Sequence, residues 1–109
     1  MARWLRGRLL DPSSAPAEGE KVVPLLDGPV SIEQILSGRT AAPVDYRQDE
    51  HEWVVLLAGT ARLLVDGAEV ELVAGDWLLL PAGCAHTLTE TAPGSSWLAV
   101  RFGAPPLLA

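Results

Sequence analysis

With 109 residues, 49% of them hydrophobic, the chain has room for one domain with its own core, and its single cysteine, Cys84, excludes an internal disulfide. The net charge of −6 becomes more acidic still once the three arginines near the N-terminus are set aside, which argues against a phosphate backbone or an anionic membrane surface as partner. No apolar run approaches the length needed to cross a bilayer, and a lone free thiol suits a reducing, cytoplasmic setting.

Residues 1–20 read as an irregular N-terminal arm. Arg3, Arg6 and Arg8 surround Trp4 and a few leucines, without the continuous apolar segment and small-residue cleavage site of a signal peptide. Residues 11–20, DPSSAPAEGE, are rich in Pro, Ser, Gly and Ala and carry no apolar period. The arm is expected to hang loosely or to pack on a neighbouring molecule.

A barrel domain is expected from residue 21 to residue 105. Short apolar segments there alternate with turn signals about every ten residues, the pattern of an all-β sandwich or barrel. The predicted strands are Val22–Leu26, Val30–Leu36, Val44–Gln48, Glu52–Ala58, Ala61–Val65, Glu69–Val73, Trp77–Leu80, Ala85–Glu90 and Trp97–Phe102. Trp53 to Ala58 is apolar on both faces, which calls for cover on both sides: a homodimer interface, or the N-terminal arm folded over it. Asp66-Gly67 predicts a two-residue type I′ hairpin, because both central residues of that turn need positive φ. Pro81 ends a strand whose ladder cannot continue through a residue without an N–H.

One segment carries a recognisable constellation. Gly75, Pro81, Gly83 and His86 stand at the spacing G-x5-P-x-G-x2-H. A strand ends at the proline, the glycine turns the chain, and the returning strand presents His86 to one face, where an imidazole serves as metal ligand or as acid and base. Outside such a frame, a histidine after a turn is ordinarily structural. On these residues the chain resembles the cupin superfamily, whose second signature motif this is. More narrowly it resembles small single-domain cupins with a Y-x-Q-x-x-x-E-W-V-x-L-L-x-G segment, here Tyr46 to Gly59. The resemblance spans roughly residues 22–102. It implies an antiparallel jelly-roll barrel, a cavity lined by the motif residues, and frequent homodimers.

The first cupin motif, G-x5-H-x-H-x3-4-E-x6-G, is only half present. Glu52 and Gly59 supply its end, but Tyr46 and Gln48 stand where the two histidines would fall, and Thr40 where the opening glycine would fall. The matching positions then offer Gln48, Glu52 and His86 as ligands for one divalent metal ion (Fe, Mn, Zn or Ni), with Tyr46 beside them in the cavity as a proton donor. His51 would join them only if residues 49–51 bulge, because a regular strand that turns Glu52 inward turns His51 outward. Cys84 reads as a small residue at the turn, and Glu90, which replaces the motif's closing asparagine, as either solvent-facing or a further carboxylate near the barrel mouth. Two functions follow from these residues. One is a metal-dependent enzyme acting on a small polar organic molecule inside the barrel; the other is a non-catalytic ligand-binding barrel, or a dimeric scaffold, that uses no metal.

Overall fold

The computed structural model describes residues 2–104. The expected boundary at residue 105 therefore lies outside the described residues. A single 3₁₀ turn, Pro12–Ser14, precedes nine strands: β1 (Glu20–Leu26), β2 (Val30–Ser37), β3 (Val44–Tyr46), β4 (His51–Ala58), β5 (Thr60–Val65), β6 (Ala68–Val73), β7 (Trp77–Leu80), β8 (His86–Thr91) and β9 (Ser95–Phe102). They form a five-stranded sheet in the order β1-β2-β9-β4-β7 and a four-stranded sheet in the order β3-β8-β5-β6. Every pairing between these strands is antiparallel, and the fold is a jelly roll.

Alternation along the strands builds the interior. In β4, Glu52, Val54 and Leu56 are buried while Trp53, Val55 and Leu57 face the other way. Leu56, Ala61, Leu63, Leu72, Leu80, Leu88, Trp97 and Ala99 join Val54 in one core between the sheets. The β5–β6 turn is the expected type I′: Asp66 and Gly67 have φ of 48° and 81°. Only Trp77–Leu80 keeps both expected ends; the other strands differ by one or two residues at one or both ends, and two of them fall short of an expected end. The third stops at Tyr46, because Gln48 lies in a loop tied to the β7–β8 turn by Gly83 N–H donating to its carbonyl at 2.7 Å. The eighth starts at His86, because the Ala85 carbonyl accepts from the Asp66 N–H of the neighbouring hairpin instead.

The N-terminal arm is not loose along its whole length. Leu10 exchanges two hydrogen bonds with the Gln34 side chain, its N–H donating to Oε1 and its carbonyl accepting from Nε2, each at 2.9 Å. Further on, Gly38 N–H donates to Gly19 O and Arg39 N–H to Ala17 O. The backbone of residues 16–17 passes so close to Gly38 that a Cβ there would meet it. Before Leu10 the chain is exposed: Trp4 and Leu5 are 82% and 97% accessible. The outer face of the five-stranded sheet keeps partly open apolar residues, with Trp53 packed on an exposed Trp77.

Candidate functional site

Cross-strand register brings together a polar group at one end of the space between the sheets. Glu52 enters from β4, directly opposite Arg101 of β9. Alternation places Arg101 on the same face as Trp97 and Ala99, so a guanidinium projects into the barrel interior. It does not remain alone there: Arg101 Nη2 binds Glu52 Oε2 at 2.9 Å, and Nη1 binds Glu33 of β2. Gln48 Nε2 donates to the same Glu52 oxygen at 3.0 Å. From the opposite sheet, Tyr46 and His86 are paired residues of β3 and β8, and their rings stack with centroids 5.3 Å apart. The Tyr46 hydroxyl donates to Glu20 Oε1 at 3.1 Å and so links the edge strands of the two sheets.

These residues line one cavity of about 140 Å³ whose apolar walls include Val54, Leu63, Leu80, Leu88 and Trp97. It is small beside the roughly 300–1,000 Å³ of sites for drug-sized ligands. Its electrostatics follow from burial and neighbours. Burial pushes the Tyr46 phenol well above its ordinary range, and the Glu20 carboxylate adds to the shift, so the hydroxyl stays protonated and keeps donating. Loss of solvent raises the Glu20 carboxyl above its ordinary value; the Tyr46 hydrogen bond works against this, while Glu52 and Glu33 add to it. For Arg101, burial disfavours the charge, but the Glu33 hydrogen bond and the Glu52 charge outweigh it and hold the guanidinium protonated.

The structure thus brings Tyr46, Gln48, Glu52 and His86 together in one cavity, as the motif positions imply, and leaves His51 out. The His51 ring lies against Phe102, and its Nδ1 accepts the Ala82 N–H at 3.0 Å, so it braces the turn that precedes His86. Glu90 is solvent-facing, one of three carboxylates around Arg62 with Glu69 and Glu71. Cys84 sits half-buried in the turn, and its carbonyl lies 3.3 Å from His86 Nδ1. Arg101, Glu33 and Glu20 were not singled out from sequence. The available signal was a charged residue at an inward position of an otherwise apolar strand, which applies to Arg101 beside Trp97 and Ala99.

The donor set matches a divalent ion poorly as it is held here. Glu52, the one carboxylate of the expected set, is already bound through one oxygen by a guanidinium and an amide. A metal at that carboxylate would sit next to the positive charge of Arg101. Two of the imidazole positions hold Tyr46 and Gln48, the phenol protonated and the amide a weak ligand. Among the described residues there is no group of three or more His, Cys, Asp or Glu side chains that would hold a metal ion.

A family model described as a cupin domain, Cupin_2, matches residues 31–100. Among solved structures, the chain is similar to a protein of Ralstonia eutropha JMP134 provisionally assigned as a mannose-6-phosphate isomerase, with 32% identity, a TM-score of 0.77, and coverage of 90% of this chain and 100% of that one. It is also similar to a Cupin 2 conserved barrel domain protein from Salinispora arenicola CNS-205 (23% identity, TM-score 0.65, 94% and 92% covered). KdgF from Halomonas sp. is a third (16%, 0.69, 80% and 81%). The last two likenesses show the fold alone. No curated protein matches the chain.

Proposed function

The chain belongs to the cupin domain family, and on that premise we propose that it is a ligand-binding barrel that takes one small polar organic molecule between its sheets and does not hold a metal at Glu52. The observation that carries this reading is the Arg101–Glu52 contact at 2.9 Å. A carboxylate that ligates a metal needs its oxygens free, whereas Glu52 already gives one of them to a guanidinium and an amide. The pair also argues against taking over the provisional assignment of the Ralstonia relative. Glu20, Glu33 and Glu52 face the cavity against one arginine, a surplus of negative charge that repels a sugar phosphate.

A divalent ion is the second reading, favoured by the shared lining of Gln48, Glu52 and His86; it requires Arg101 to withdraw from Glu52. Thermal unfolding separates the two. The midpoint is expected to stay unchanged on chelation and on addition of Mn²⁺, Fe²⁺, Zn²⁺ or Ni²⁺, and to rise with members of a panel of small polar metabolites. One metal ion per purified chain, by elemental analysis, would overturn the proposal. We further propose that the protein works as a cytoplasmic homodimer, on the support of its single free thiol and of the open apolar face around Trp53 and Trp77.

A further inference from the structure

The hydrogen-bonding character of the cavity narrows the class of ligand. Each donor side chain in it already engages a protein acceptor: Tyr46 with Glu20, Gln48 with Glu52, Arg101 with Glu33 and Glu52, and the Trp97 indole with Ser37 Oγ. The acceptors are in surplus, because a carboxylate offers about four lone-pair sites and three carboxylates face the cavity. His86 adds another. Its Nδ1 lies 3.3 Å from the Cys84 carbonyl, and two acceptors do not face each other, so the proton of the neutral ring belongs on Nδ1. That leaves a lone pair on Nε2, which has no hydrogen-bond partner among the described residues, on a side chain only 6% exposed that lines the cavity. The lining is thus rich in acceptors, negative in sum, and walled elsewhere by leucine, valine and tryptophan.

We infer that the cavity selects a small organic cation, a protonated amine on a short apolar body, whose N–H groups meet His86 Nε2 and the carboxylates while its carbon chain lies against Val54, Leu63 and Leu88. This rests on the ligand-binding reading and names the chemistry of its ligand. An alcohol of the same shape supplies one donor and no charge. A carboxylate supplies neither and meets three like charges.

The test uses three probes of matched length, n-butylammonium, 1-butanol and butyrate, titrated into the full chain at mildly alkaline pH, which favours the ionised form of Glu20 while the amine keeps its proton. Binding is read from the NMR shifts of the Trp97 indole N–H and the Gln48 side-chain amide. Saturable binding of butylammonium is expected, about tenfold or more tighter than that of butanol, with no shift from butyrate. Glu20→Gln, which keeps an acceptor oxygen for the Tyr46 hydroxyl and removes only the charge, is expected to weaken the ammonium severalfold and to affect butanol far less. Equal affinity for butanol, or preference for butyrate, overturns the selectivity while the ligand-binding barrel stands. Silence of the cavity signals with all three probes overturns both.

Discussion

Without Arg101, Glu52 would be a carboxylate only 5% exposed with one amide for company. Removing one partner of a buried pair costs more than replacing both, because the remaining charge stays unsolvated. Arg101→Leu is therefore expected to lower stability by about 3 kcal/mol. Adding Glu52→Leu should restore much of that loss, as read from urea unfolding of both variants. If the double variant is no better than the single one, the pair does not control the cavity. Glu20 provides a pH test. Its carboxyl is raised in the folded state above the ordinary value of 4.5, so the folded chain holds that proton more tightly than the unfolded chain. Its contribution to stability is present below 4.5 and is lost as pH rises through the raised value. Replacing it by Gln is expected to flatten that part of the stability profile. Tyr46→Phe, which removes the hydrogen bond opposing the shift, should raise the Glu20 value further in a ¹³C carboxyl titration.

Two turns of similar sequence differ in what they ask of their glycine. Gly67, in the β5–β6 hairpin, has φ of 81° with open space where a side chain would go. Gly67→Ala is thus expected to cost only the left-handed backbone penalty, about 1 kcal/mol. Gly59, between β4 and β5, has φ of 90°, and a Cβ there would collide with Ser95, which is fully buried. Gly59→Ala should be clearly the more damaging of the two in thermal unfolding, and equal costs would mean that Ser95 yields freely. The Gly67 turn was legible in the sequence, because the Asp66-Gly67 pair is itself a local signal. The close approach to Ser95 was not legible, since Ser95 lies in β9, far along the chain.

At the scale of the whole molecule, the described residues leave apolar surface open in places that the barrel does not cover. One is the outer face of the five-stranded sheet, where Trp77 is 55% and Leu57 40% exposed; another is the arm before Leu10, which carries Trp4 and Leu5. A second copy would cover such surfaces and meet the requirement that soluble chains hide large contiguous apolar patches. Light scattering coupled to size exclusion is expected to give the mass of a dimer, and Trp77→Glu, at a position exposed in the single chain, to shift it to monomer. A monomeric parent at micromolar concentration would rule out the homodimer.

The all-β class, the strand order along the chain, the Asp66-Gly67 hairpin and the inward turn of His86 were determined by the sequence alone, because each depends on residues within a few positions of one another. The same holds for His51, whose outward direction follows from the parity of Glu52. Tertiary structure decided what Glu52 does. Its partners Arg101 and Gln48 come from a strand 49 residues away and from a neighbouring loop, and Glu33 enters through the intervening β2–β9 pairing. A motif read along the chain counts ligands at its own positions. Whether a carboxylate among them is free depends on the charge that register sets opposite it, and that is fixed only when the sheet closes.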